Sequence, residues 1–261
     1  MRTSAILNLK GGVAKTSTAV NVAAILASDY KQRVLLVDAD SQCNTTEFFG
    51  GDPEIGSLAD VLRWQGDNIA QYARDRIQTT KLANLDLLAG DDSLMDLDLT
   101  KVETQSVQAT CLRDMIHLLE QQDRYDFCLV DCPPAFNAAS AAALTAADDV
   151  IIPIKLDAFS LRGMTNLLRQ IYNMQQINPK LRVAGCMPTM WYKSPKLQEA
   201  EATLRASSLP VYQTRIRRTD KVDDMTFEQE PLRTYSPRSA AAVDYRRFVR
   251  EYLAQGGVSN G

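Results

Sequence analysis

An apolar strand pattern that stops at a glycine pair and passes at once into a lysine, two hydroxyls and a helical pattern admits few folds. Residues 4–17, Ser-Ala-Ile-Leu-Asn-Leu-Lys-Gly-Gly-Val-Ala-Lys-Thr-Ser, have this form. A strand that ends at a flexible turn leaves backbone N–H groups pointing outward, and the positive end of the following helix adds to the pull on an anion. The segment therefore reads as a phosphate cradle built from Lys10, Gly11, Gly12, Val13, Ala14, Lys15, Thr16 and Ser17. The Lys15 ammonium can reach the terminal phosphates of a nucleotide, and the Thr16 hydroxyl can hold the Mg²⁺ that bridges them.

The segments beyond the cradle set the architecture. Strand-like apolar runs recur at 4–9, 33–38, 85–89, 127–131, 150–154 and 182–187. Helical patterns lie at 16–28, 104–122, 138–147, 161–177, 196–207 and 238–254, mostly in the gaps. This β-α alternation predicts an α/β fold: a doubly wound, mostly parallel sheet with helices on both faces and ligands outside the carboxyl ends of the strands. The connection from 41 to 84 is longer and polar, breaks at Gly50-Gly51-Asp52-Pro53, and is expected to hold short helices and a switch region. At 261 residues and 45% apolar composition the chain can bury one large core, so residues 1–261 read as a single P-loop domain.

Two carboxylate motifs fit beside the cradle. Val34-Leu-Leu-Val-Asp38-Ala-Asp40-Ser-Gln-Cys-Asn44 ends a strand with two acids one residue apart, which share a face in an extended segment. One of them can position an attacking water or hold metal-bound water. Asp126-Phe-Cys-Leu-Val-Asp131-Cys-Pro-Pro-Ala is an apolar strand ending in a carboxylate suited to a Mg²⁺ shell, which makes Asp131 the metal-side acid. The candidate metal set is thus Thr16, Asp38, Asp40 and Asp131.

The glycine positions of the ordinary pattern G-x-x-x-x-G-K-[ST] are occupied here by Leu9 and Ala14, and the glycines stand instead at Gly11 and Gly12, after the additional Lys10. This spelling, K-G-G-x-x-K-[ST], is the deviant Walker A motif, and with it the chain resembles the ParA/MinD (Soj-like) family of ATPases. The D-C-P-P run at 131–134 is specific to that family. Further likeness lies in Pro153–Gly163, which resembles a strand and helix at the dimer face, and in Pro188-Thr-Met190, which resembles a T-M segment. Residues 214–221 stand where relatives have an I-P-R-N segment near the adenine, with Arg217 and Thr219 in place of Pro and Asn.

The resemblance implies a Mg²⁺-dependent ATPase, weak without a partner, in which two monomers sandwich two ATP. Lys10 would reach the partner's phosphates, Lys15 would bind phosphate in its own site, and Asp40 would orient water, making these the catalytic residues. Asp38 would support the metal shell, and Met190, Arg217 and Thr219 would line the base. Pro133, Pro134 and Asn137 would form a γ-phosphate-sensing switch. Ser41 and Cys43 replace the usual Pro and Gly of the first switch. Ala14 replaces the commonest Gly, and its backbone is expected to keep φ below zero. Because the cradle begins almost at Met1, the resemblance is to short forms lacking an N-terminal helix-turn-helix.

Net charge is −3, yet residues 1–150 carry −10 and residues 151–261 carry +7. Such asymmetry suits a basic face that meets nucleic acid or an anionic membrane. Together with the family likeness it points to nonspecific double-stranded DNA as a partner, contacted by Lys193, Arg215, Arg217, Arg218, Lys221, Arg238, Arg246 and Arg247. Lys193 and Lys221 take positions of family DNA-contacting arginines. The family also implies a ParB-like adaptor that stimulates hydrolysis, and hence a role in partitioning plasmid, chromosome or mobile-element DNA on the nucleoid.

Two other classes stay open. A MinD-like membrane-positioning ATPase would use the amphipathic run Tyr245–Leu253, although that run also suits a last helix packed on the sheet, with only 254–261 following it as expected tail. A related ATPase could position a protein cargo. A nitrogenase-reductase-like carrier would need cluster-ligating cysteines, and the five cysteines (43, 111, 128, 132, 186) form no C-x-x-C pair and read as buried free thiols. His117 lies in an apolar helical run and reads as packed. No run of about 18 apolar residues and no signal-peptide pattern occur, so the chain is expected to be cytoplasmic.

Overall fold

The computed structural model describes residues 1–66, 68–97 and 106–255. Its elements are β1 (Arg2–Ile6), α1 (Lys15–Asp29), β2 (Val34–Asp38), α2 (Asn44–Phe49), α3 (Leu58–Leu62), α4 (Ile69–Arg74), β3 (Gln78–Thr79) and β4 (Leu85–Leu88). After a 3₁₀ turn at Asp92–Asp96 come α5 (Ser106–Gln121), β5 (Phe127–Asp131), α6 (Ala138–Ala146), β6 (Asp149–Lys155), α7 (Ala158–Gln175) and β7 (Arg182–Thr189). The chain continues through α8 (Pro195–Arg205), α9 (Lys221–Glu228), α10 (Leu232–Tyr235) and α11 (Ala240–Gln255).

The strands form one sheet in the order β3-β4-β2-β5-β1-β6-β7. All neighbours run parallel except β3, which is antiparallel to β4. Strands buried on both faces should read as continuous apolar runs, and β2 and β5 are buried along their whole length. Their side chains nevertheless alternate between two cores. Ala5, Leu35, Val37 and Val130 pack with α3, α5, α6 and α7, whereas Ile6, Val34, Leu36 and Leu129 pack with α1 and α11. The apolar side of α11 lies wholly in the second core: Tyr245, Phe248, Val249 and Tyr252 are fully buried.

The long connection holds α2, α3 and α4 as its polar composition implied, and adds β3, whose two residues carry no periodic signal. α9 and α10 also went unanticipated, being too short for helical periodicity to register. The start of the helix expected at 104–122 and the tail at 256–261 lie outside the described residues. His117 is not packed: its side chain is 65% exposed on α5, within hydrogen-bonding distance of Gln121. The buried stripe of α5 runs instead through Leu112, Met115, Ile116 and Leu119. The five cysteines are thiols outside any disulfide, four of them buried. Among the described residues no helix is long and apolar enough to cross a membrane.

Candidate nucleotide site

The sheet order places β5 between β2 and β1, and the register pairs Asp131 with Asp38 on one side and with Ile6 on the other. Three segments far apart in sequence thus end in one row. The loop after β1 turns directly above that row, and Lys15 opens α1 there. Tertiary hydrogen bonds fix the loop from both flanks: Asn8 Nδ2 donates to Pro153 O of β6 (2.8 Å), and Thr189 Oγ1 of β7 donates to Val13 O (3.1 Å).

Ala14 overturns one expectation. Its φ is +69°, in the left-handed region, rather than below zero. The turn into α1 needs this conformation, as it does at Gly12 (φ +66°), so the alanine carries strain that glycine would avoid. Cys43, in place of a glycine, does the same at the start of α2 with φ +56°.

Lys15 is buried, with its Nζ 3.2 Å from Lys10 O. Burial lowers its pKa, opposed by the nearby charges of Asp131 and Asp40. Lys10 points elsewhere: its Nζ lies 2.6 and 2.8 Å from the two carboxylate oxygens of Asp157, with both side chains about one-third exposed.

The carboxylates divide by what they touch. Asp38 Oδ2 accepts from Thr46 N and Thr46 Oγ1 (2.8 Å each), and its Oδ1 accepts from Asp40 N (3.1 Å). It therefore ties β2 to the start of α2. Asp131 Oδ2 accepts from Thr45 Oγ1 (2.7 Å), while its Oδ1 is buried with no hydrogen-bond partner among the described residues. A buried, unsatisfied carboxylate oxygen is costly unless a cation completes it. Burial pushes the Asp131 carboxyl up to about 7, reinforced by the Asp38 charge and opposed by Thr45, Thr16 and Lys15. Burial likewise raises Asp38, to about 6, against its hydrogen bonds from Thr46 and Asp40. Asp40 is nearly buried and its Oδ1 accepts from Gln42 N (3.0 Å). An oxygen donor set of Thr16 and Asp131, with its orphaned oxygen, fits Mg²⁺, which prefers hard oxygen ligands and takes few from protein.

Thr45 and Thr46 were missed in the sequence, although two hydroxyls directly after Asn44 were the available signal. Gly90 was missed as well. A Cβ there would lie 3.0 Å from Asp38 O and 3.1 Å from Asp38 Cγ, so any larger residue just after β4 would press on the end of β2. Asn137, placed in a switch, caps α6 by accepting from Ser140 N (3.0 Å).

Beside the cradle a cavity of about 240 Å³ is walled by Ala14, Met190, Ile216, Thr219, Val222 and Tyr245. Mixed apolar walls suit a flat heterocycle, and the cavity brings together the residues expected near the base. Arg217 also lines it, but its guanidinium turns to Asp244, with Nε 2.7 Å from Oδ2 and Nη2 2.8 Å from Oδ1. The other basic candidates separate likewise. Arg215 pairs with Glu201, Lys221 with Asp224 and Arg247 with Asp244, and Arg246 donates to Pro237 O. Lys193, Arg218 and Arg238 are exposed and form no ion pair among the described residues.

A phosphate-binding loop at the end of a central parallel strand, flanked by carboxylates on adjacent strand ends, defines a P-loop nucleotide-binding protein. A family model described as an AAA domain matches residues 1–183. The chromosome partitioning protein ParA of Caulobacter vibrioides is 32% identical over 98% of this chain and 95% of its own length. The sporulation initiation inhibitor protein Soj of Bacillus subtilis is 34% identical over 97% of this chain and 98% of its own. Among solved structures, cobyrinic acid a,c-diamide synthase from Mycobacterium smegmatis, with bound ADP and magnesium, superposes with a TM-score of 0.81 at 29% identity, over 98% of this chain and 96% of that one. The chain belongs to the ParA/MinD family of P-loop ATPases.

Proposed function

We propose that the chain acts as one ParA-type ATPase domain that binds ATP with Mg²⁺, closes into a sandwich dimer, binds duplex DNA without sequence preference in that state, and is released when a ParB-like adaptor stimulates hydrolysis. The observation that carries this reading is Lys10, a second lysine at the mouth of the phosphate loop in a chain whose near-full-length relatives include a chromosome partitioning protein.

Each step has a residue suited to it. The loop N–H groups and Lys15 bind phosphate, and Thr16 and Asp131 would hold the metal ion, which neutralises phosphate charge when bound. Asp40, in the switch segment after β2, would orient a water. Lys10 exchanges Asp157, with which it forms an ion pair about one-third exposed, for the partner's phosphates. The basic half supplies the DNA surface, on the nucleoid, while the buried apolar side of α11 argues against membrane insertion.

Binding to a random-sequence duplex with ADP, with ATP, and with ATP at rising salt tests the reading. Tight binding with ATP alone, collapsing as salt rises, is expected. Lys10→Ala should abolish ATP-dependent dimerisation, and a variant that dimerises and hydrolyses ATP normally refutes the sandwich.

A further inference from the structure

A recess of about 290 Å³ next to the base cavity gathers Arg215, Arg217 and Arg247 around Trp191 and Thr214. Two carboxylates, each only 4% exposed, lie beneath them. Glu201 Oε1 accepts from Arg205 Nε (2.9 Å) and Arg215 Nε (2.7 Å), and its Oε2 accepts from Trp191 Nε1 (3.1 Å). Asp244 Oδ2 accepts from both the backbone N and Nε of Arg217 (3.0 and 2.7 Å). Four arginines thus share two buried acids, which leaves a cationic excess on the face.

Two of the recess arginines keep outer donors available, whereas Arg217 is committed to Asp244. Arg215 engages Glu201 through Nε and lies 4.8 Å from the centre of the Trp191 ring, and among the described residues its two Nη groups have no partner. Arg247, 65% exposed, reaches Asp244 only at 3.8 Å. A guanidinium fork held at Nε by a buried carboxylate with its outer donors free, as in Arg215, beside a second, loosely paired guanidinium, as in Arg247, suits the grip of a tetrahedral oxyanion. The surroundings select its source. The apolar residues of α11 are buried beneath this face and so are not offered to a bilayer, whereas Lys193, Arg218, Arg238 and Arg246 extend the positive charge along neighbouring segments.

We infer that this recess is a socket for one backbone phosphate of duplex DNA, gripped by Arg215 and Arg247, with Glu201 and Asp244 as positioning residues. The inference rests on the DNA-binding reading above. It differs from a diffuse basic surface in requiring forked donors rather than charge alone.

Affinity for a random-sequence duplex with ATP, followed over rising KCl, separates the two. R215Q/R247Q should flatten the slope of log K against log salt by about 1, the signature of one lost phosphate contact. R215K/R247K keeps the charge and should hold the slope while binding several-fold more weakly, because lysine lacks the fork. Both variants leave Glu201 its bonds to Arg205 and Trp191, and circular dichroism checks the fold. A lysine variant that binds like wild type overturns the socket alone. A wild-type protein that ignores DNA in every nucleotide state, or prefers anionic vesicles, overturns the DNA reading and the socket with it.

Discussion

Ala14 shows how a single residue can satisfy a motif and strain it together. Its left-handed backbone opens α1 and lets Ala14 O accept from Thr18 N (3.0 Å) and Thr18 Oγ1 (2.6 Å), so the turn is held by the helix it starts. A left-handed alanine carries about 1–2 kcal/mol of strain, part of which glycine gives back through its freer unfolded chain. Ala14→Gly should therefore stabilise the nucleotide-free protein by about 0.5–1 kcal/mol in urea denaturation, the strain relieved less glycine's entropy. Destabilisation by the usual alanine-to-glycine helix penalty would show that the loop relaxes away from this conformation. Nothing in the local sequence announces the sign of φ at residue 14, because it follows from where β1 stops and where Thr189 and Asn8 anchor the loop.

At the scale of elements, α11 is the plainest case of two readings separated by packing. Its sequence, with Phe248, Val249 and Leu253 among Arg246, Arg247 and Arg250, suits a membrane surface and a protein core equally well. In the fold Phe248 is fully buried, with its ring 4.7 Å from that of Tyr212 at 74° and 6.2 Å from that of Tyr252. Truncation of a buried phenylalanine leaves a cavity the neighbours fill only partly, so Phe248→Ala should lower stability by about 3–5 kcal/mol. A loss below about 1 kcal/mol in chemical denaturation would mean that α11 is loosely docked and free to serve another surface. The long α helices and the central strands were legible beforehand because their buried faces repeat over several turns or residues. β3, α9 and α10 offered no such repeat and exist because longer neighbours template them.

For the whole molecule, the most consequential juxtaposition is the buried acid pair at the ends of β2 and β5. Asp38 and Asp131 are both raised above the ordinary carboxyl value of 3.8, chiefly by burial, with each also raised by a neighbouring carboxylate. A raised carboxyl binds its proton more tightly folded than unfolded, so its stabilising contribution is present below 3.8 and is lost as pH rises through the folded value, about 7 for Asp131. Without metal or nucleotide, Asp131→Asn should consequently be more stable than wild type at pH 7.5 by on the order of 1 kcal/mol or more, with the difference vanishing near pH 4. Equal pH dependence in the two proteins would show that the pair is not charged and buried as described. Mg²⁺ should narrow the gap, by stabilising only the protein that keeps the carboxylate. The sequence alone determined the β-α alternation, the phosphate loop, the two strand-end carboxylate motifs and the charge asymmetry, since these rest on local periodicity and on residue chemistry a few positions apart. Only the tertiary structure decided the left-handed turn at Ala14, the pairing of Lys10 with Asp157, the closeness of Gly90 to Asp38, and which arginines are tied to acids. Each of these depends on contacts between segments tens to hundreds of residues apart, set by the order of strands in the sheet and invisible to any local window.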